Sequence, residues 1–275
     1  VPAANFLSCA VLTRPDDRNR SLASMLETRG VQVLQAPALN ISRIPGAVGA
    51  RQAPACYDMA VFVSGNAVRA YLQALDEMGL QEWPGTTIAA AVGAGTGQAL
   101  RDSGRIPQSM ILYPDPALGG QDSESLWSAL ADRLDALRRV LIVRGSSGRE
   151  WLGQRLEAAG ISVERLAVYQ RSPAIWTQRE RSALEAMFVS GKPCVFLLTS
   201  GEGVEAVHDN MRRLGLERQW AQARFVVIHE RIAARLQSVL AASGKVEPPV
   251  VKICQPGDEP ALQAILALAS HTASS

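Results

Sequence analysis

Short apolar runs alternate along the chain with longer segments in which apolar positions recur every three or four residues. The first pattern predicts buried strands, the second amphipathic helices, and the alternation predicts βα units on a mainly parallel sheet. Strands are expected at 9–13, 31–36, 59–64, 88–92, 140–143, 162–168, 195–199 and 225–228. Helices are expected at 21–29, 67–78, 123–134, 150–159, 203–213, 232–242 and 260–270, with a further one running from the Gly93 turn to near Gly104. In the first of these, Leu22, Met25 and Leu26 share one face and Gly30 supplies the stop.

The pattern repeats. Shifted by 130, Arg14, Leu22, Leu26, Gly30 and Val33 fall on Arg144, Leu152, Leu156, Gly160 and Val163, each pair identical. Shifted by 136, Ser64, Gly65, Val68, Leu100 and Leu126 fall on Ser200, Gly201, Val204, Leu236 and Leu262. Segments 36–45 and 166–173 stand at equivalent places, are extended and mixed in polarity, and each ends in proline. Taken as crossings, they make domain 1 discontinuous (1–37 plus 172–275), with domain 2 (45–166) inserted and 38–44 and 167–171 as connectors. The expected fold is therefore α/β: two flavodoxin-like parallel-sheet lobes related by internal duplication and joined by a two-stranded hinge. Two linkers side by side restrict such lobes to opening and closing a cleft.

Composition narrows the function. With 275 residues, 47% hydrophobic and 20% charged, the chain has a core and is no disordered tail. A formal charge of +2 excludes a broad nucleic-acid footprint, although a local basic cleft is compatible with it. Of the 28 cations, 25 are arginine, which fits either a GC-rich genome or bidentate recognition of carboxylates and phosphates. Cys9, Cys56, Cys194 and Cys254 are dispersed, and none of the three histidines adjoins one, so no metal site is expected. Scattered thiols suit a reducing cytoplasm. The first thirteen residues lack the basic start of a signal peptide, and no run of about 18 apolar residues predicts a membrane span.

Candidate chemistry gathers at strand-to-helix turns. Gly93-Ala-Gly-Thr-Gly97 lacks the third glycine of a dinucleotide fingerprint, since Gln98 stands there. It reads instead as a turn whose amides can hold an anion. Leu198-Thr-Ser-Gly-Glu-Gly203 fails as a hydrolase elbow because leucine occupies its first glycine position. Ser200 and its counterpart Ser64 match as helix caps, either simply capping or also receiving an anion. Arg14 and Arg144 each follow a strand, where ligands of open α/β sheets gather, and Arg149 lies just beyond. Tyr169 falls within the second connector and is expected to face the cleft, as packing or as a weak acid.

In order and spacing, Val11-Leu-Thr-Arg-Pro15, Phe62-Val-Ser-Gly-Asn-Ala-Val68, Ala91-Val-Gly-Ala-Gly-Thr96, the run from Val143 to Leu152 and Val168-Tyr-Gln-Arg171 resemble the uroporphyrinogen-III synthases. The resemblance spans about residues 10–268 and implies a two-lobed enzyme that uses no cofactor. Its reaction closes linear hydroxymethylbilane into uroporphyrinogen III, inverting ring D through a spiro intermediate. The resemblance implies that Tyr169 assists departure of the hydroxyl. It implies substrate contacts at Arg14, Ser64, Asn66, Ala67 and Gly93, and likewise at Thr96, Arg144, Gly145, Arg149 and Ser200. The domain 1 turn His229-Glu-Arg231 departs from the family, whose glycine and threonine are missing there. Either Arg231 replaces those contacts or this lobe binds more loosely. The implied protein is a cytoplasmic monomer, in transient contact at most with porphobilinogen deaminase and with neither nucleic acid nor membrane. A two-lobed tetrapyrrole- or small-anion-binding regulatory protein without catalysis is the other reading of the same plan.

Overall fold

Eleven strands and ten α-helices alternate through residues 8–15, 18–114, 123–244 and 247–270, the parts of the chain that the computed structural model describes. Residues 1–7 of the uncharged N-terminal stretch and His271 lie outside them. The chain divides into two compact units, Val1–Asn40 with Ser172–Ser275, and Ile41–Arg171.

Unit 1 is built on β1 (Ser8–Leu12), β2 (Val31–Gln35), β9 (Cys194–Leu198), β10 (Arg224–Val227) and β11 (Val250–Ile253), in the spatial order β11-β10-β9-β1-β2. Every pair is parallel. Numbered by their order within the unit, these strands run 2-1-3-4-5, the flavodoxin-like doubly wound order. In β1 and β9 every residue is buried, as expected of central strands covered on both faces. Cys9 and Val11 face a cluster with Phe196, Val207 and Trp220, while Ala10 and Leu12 face Leu22, Leu26 and Ile265. Helices α6 (Gln178–Val189), α7 (Gly201–Arg213) and α9 (Glu230–Ala242) cover the first face, and α1 (Arg20–Glu27) and α10 (Asp258–Ser270) the second.

Unit 2 carries β3 (Leu39–Arg43), β4 (Met59–Phe62), β5 (Ile88–Ala91), β6 (Ile111–Leu112), β7 (Arg139–Gly145) and β8 (Ser162–Pro173), ordered β3-β8-β7-β4-β5-β6. Helices α2 (Gly65–Glu77) and α3 (Ala94–Asp102) pack on one face, and α4 (Ser123–Ala129) and α5 (Trp151–Ala158) on the other. The strand registers of the two sheets coincide under the offsets of the sequence repeat. Ala10 opposes Val195 and Val33 in unit 1, and Val140 opposes Met59 and Val163 in unit 2. Gly30 and Gly160, which end α1 and α5, both adopt the left-handed conformation, at φ +75° and +80°.

Several elements differ from expectation. The strand expected to stop at 168 continues to Pro173, because β3 pairs along it: Ile44 N–H donates to the Val168 carbonyl at 3.0 Å. The division between units thus falls inside two strands. The helix expected over 123–134 ends at Ala129, and a 3₁₀ turn follows at Ala131–Ala136. The amide of Leu130 is shared between the carbonyls of Leu126 and Trp127, which tightens the last turn. Strand β3 falls within the extended segment expected at 38–44, whereas helix α6, the six-residue helix α8 (Glu217–Gln222) and strands β6 and β11 are additions to the expected set.

A bulge in β8 sets its aromatic residue. Arg144 opposes Ala167 but Gly145 opposes Tyr169, so one residue of β8 goes unpaired. Strict alternation would send Val168 and Tyr169 to opposite faces; instead both join the cluster of Leu166, Val143 and Phe62. The tyrosine ring then lies on Gly145, where an added Cβ would stand 2.9 Å from the ring. Nearby, Glu164 of β8 ties the sheet to the 3₁₀ turns at Ala50–Gln52 and Pro54–Cys56: it accepts from the Tyr57 hydroxyl at 2.6 Å and from Gln52 Nε2 at 2.8 Å. The Tyr57 hydroxyl, followed by the Gln52 amide, holds the Glu164 carboxyl below its ordinary range.

These contacts are open to test. Gly145→Ala forces the Tyr169 ring out of its seat, with a stability loss of about 1–3 kcal/mol in urea unfolding and a changed tyrosine environment in near-ultraviolet circular dichroism. Glu164 has a lowered pKa in the folded chain, so its contribution is present above the unfolded carboxyl pKa of about 4.3 and fades as pH falls through the folded value. The urea midpoint of Glu164→Gln is therefore expected to fall less steeply than wild type between pH 5 and 3.

Candidate functional site

Because the strands within each sheet pair in parallel, with the antiparallel β3 outside this rule, their last residues arrive at one edge per unit. In unit 2 that edge carries, in sheet order, Tyr169 near the end of β8, Arg144 and Gly145 at the end of β7, Ser64 after β4 and Gly93 after β5. In unit 1 it carries Arg14 after β1, Ser200 after β9 and His229 after β10.

The four turns are one device in four versions. Ser64 and Ser200 have extended backbones and cap α2 and α7, accepting from the amides of Ala67 at 3.2 Å and Gly203 at 3.0 Å. Gly93 caps α3 without a side chain, and its carbonyl accepts from the amides of Thr96 at 3.0 Å and Gly97 at 2.9 Å. His229 caps α9 through Nδ1, which accepts from the Arg231 amide at 3.0 Å. An imidazole nitrogen thus replaces the hydroxyl that the sequence lacks here, and Nδ1 must be unprotonated to do so. Gly97 has a packing reason of its own: a Cβ there would meet the Tyr113 ring at 2.9 Å. Gly93 thus serves as a cap and Gly97 as a seat for that ring, while a Cβ at Gly95 would meet open space.

Tyr169 is only 2% exposed, so its ring belongs to the core of unit 2 and not to an open face. Its hydroxyl lies 3.0 Å from Ser64 Oγ and accepts from Arg171 Nη2 at 3.3 Å. Arg171 also sits 5.7 Å from the ring centroid, within cation–π range. Ser64 Oγ already accepts from the Ala67 amide. Tyrosine and serine bring one O–H donor each, and one of these makes the bond between them. Whichever residue donates, the other keeps a proton with no acceptor in this pair. The arrangement is a short relay able to present a proton to a neighbouring group. Arg171 is not among the residues that the sequence reading assigns to the site, although its place two residues after Tyr169 on a strand is an available signal.

The remaining expected residues are engaged within the protein. Arg144 is buried and its Nη1 donates to Glu150, which also accepts from Arg165 Nε at 2.7 Å. The Arg144 guanidinium, followed by Arg165, holds the Glu150 carboxyl below its ordinary range. Gly148 lies over Arg144, since a Cβ there would stand 3.0 Å from Nη2. Arg149 pairs with Glu124 of α4, and Asn66 accepts from Arg69 one turn later. Ala67 contributes its amide to Ser64, and Thr96 is buried at the start of α3. Arg14 pairs with Asp258 at 2.9 Å.

Away from these edges, a cavity of about 490 Å³ in unit 1 opens among Phe188, Lys192, Gln222 and Arg224, near the amino ends of β9 and β10. All four cysteines are free thiols. Cys9 and Cys194 are register partners across β1 and β9, and burial pushes both thiols up. Among the described residues no cluster of His, Cys, Asp and Glu could hold a metal ion, and no helix is long and apolar enough to cross a membrane.

Comparison with known proteins agrees with this geometry. The profile described as uroporphyrinogen-III synthase HemD matches residues 20–248. The uroporphyrinogen-III synthase of Escherichia coli K12 is 28% identical over 227 residues, covering 81% of this chain and 88% of its own. That of Salmonella typhimurium is 27% identical over 232 residues, with the same coverage. Among solved structures, uroporphyrinogen-III synthetase from Helicobacter pylori is similar at a TM-score of 0.58 and 19% identity, covering 95% of this chain and 99% of that one. A mutant synthase from Thermus thermophilus gives 0.51 at 18% identity, covering 95% and 98%. These last likenesses concern the fold, and they agree in an α/β architecture with parallel sheets. With the family profile spanning most of its length, the chain belongs to the uroporphyrinogen-III synthase family.

Proposed function

We propose that the chain converts hydroxymethylbilane into uroporphyrinogen III. The family match across 20–248 is the observation that carries this reading, and the Ser64–Tyr169–Arg171 relay supports a role in dehydration. The hydroxyl of ring A takes a proton and leaves as water, giving an azafulvene. The substituted carbon of ring D bonds to the freed methylene, forming the spiro intermediate. The bond from ring D to its former methylene then breaks and re-forms at the other ring carbon, and loss of a proton restores the pyrrole. The net change is loss of one water, a redox-neutral sequence that calls for positioning above all.

The same substrate also closes without inversion, so the protein's task is to impose one conformation on a flexible tetrapyrrole. Its eight carboxylates supply the handles. In this reading the amides and hydroxyls at the Ser64, Gly93 and Ser200 turns, Thr96 among them, receive those carboxylates. Arg144 and Arg149 support the edge by fastening loop 146–150. The matching registers of the two sheets support a duplicated ancestor, with 38–44 and 167–171 serving as the hinge. Tyr169 delivers the proton to the departing hydroxyl. A cytoplasmic monomer that takes the unstable bilane from porphobilinogen deaminase completes the proposal.

The test is a coupled assay with porphobilinogen deaminase and porphobilinogen, followed by oxidation and separation of the porphyrin isomers. Isomer III in place of isomer I is expected; isomer I alone from folded protein overturns the synthase. Tyr169→Phe keeps the ring on Gly145 and removes the hydroxyl, and kcat is expected to fall roughly tenfold to a hundredfold, toward the lower end of general-acid effects. An unchanged kcat would leave the tyrosine a packing role only.

A further inference from the structure

Arg14 and Arg144 are repeat equivalents, yet their guanidinium groups are in different situations. Arg144 is covered by loop 146–150 and donates to Glu150 inside its own unit. Arg14 is held by one nitrogen only, Nη1 on Asp258 Oδ1 at 2.9 Å. Its Nε and Nη2 are buried and have no hydrogen-bond partner among the described residues. Buried donors without an acceptor, above all on a cation, are rare and costly in a native fold. These two nitrogens form one edge of the planar group, and their N–H bonds run side by side at the spacing of a carboxylate's two oxygens.

We infer that Arg14 receives one substrate carboxylate through Nε and Nη2, with Asp258 as the positioning residue that fixes the guanidinium plane. The inference rests on the synthase reading for the identity of the substrate, and on Arg14 itself for the chemistry. Asp258 stands in the first turn of α10, where a carboxylate suits the helix dipole. Its single contact leaves the opposite edge of the fork for the ligand. The repeat is thereby divided in labour: the arginine of unit 1 binds, and that of unit 2 holds a loop.

Arg14→Lys tests the fork, because lysine keeps the charge and loses the two parallel donors. The readouts are KM and kcat for enzymatically generated hydroxymethylbilane, and the Kd of uroporphyrin III, a stable octacarboxylate, by fluorescence titration. Arg14→Lys is expected to raise both KM and Kd about tenfold or more, with a smaller change in kcat. Asp258→Asn is expected to raise them several-fold, and to add little when combined with Arg14→Lys, since it acts through the same group. Glu150→Gln, the counterpart at Arg144, is expected to lower the melting temperature without raising Kd. A Kd for Arg14→Lys within twofold of wild type, or an Asp258→Asn effect undiminished in the Arg14→Lys background, overturns the inference. Failure to form isomer III would overturn the synthase reading alone, since the uroporphyrin titration still decides the fork.

Discussion

In a parallel sheet each strand delivers its last residue to the same edge, and the chain must travel back along a helix before it can pair again. That constraint organises the candidate site. Strands β4 and β7 are almost eighty residues apart, and β1 and β9 more than 180, yet their ends lie side by side because their registers agree. What the chain places at those ends is of two kinds: a helix-capping residue after β4, β5, β9 and β10, and an arginine at the ends of β1 and β7. A fold that collects such groups along an edge suits a substrate whose recognisable features are carboxylates spread along a linear tetrapyrrole.

The position of Tyr169 depends on a single irregularity in this regular plan. With Gly145 lacking a side chain and one residue of β8 looped out of register, the ring turns into the core and its hydroxyl reaches Ser64. Burial of the ring removes the rotational freedom that a surface tyrosine would retain, and Arg171 engages the oxygen from the other side. The hydroxyl is thus fixed by the protein's own neighbours, Ser64 and Arg171, rather than left to rotate.

The central strands are legible in the sequence because they are apolar on both faces, and the repeat is legible because identities at a fixed offset do not depend on context. Helix α6 is hard to read because its charged, weakly periodic sequence buries mainly Leu184 and Met187; the Thr177–Glu180 capping box is its available signal. Edge strands β6 and β11 are only two and four residues long, the first half-buried and the second largely exposed, so neither carries enough alternation to be read as a strand. In the site, the turns at Ser64, Gly93 and Ser200 are readable from local sequence. The burial of Tyr169 is not, since a bulge breaks the alternation on which such a reading rests. Nor are Asp258 and Glu150 readable as the partners of the two arginines, since nothing in the sequence marks them, and Asp258 comes to Arg14 from 244 positions away.

Unit 2 enters and leaves the chain through a pair of antiparallel strands, and within unit 1 the Ala174 amide still donates to the Ala38 carbonyl at 2.9 Å. The two ends left by excising the insert are therefore already adjacent and correctly oriented for a tight hairpin. Unit 1 can be rewritten as one continuous polypeptide by a turn of a few residues. The longer protein then amounts to a five-stranded module that carries a second parallel sheet between two adjacent points of its own chain.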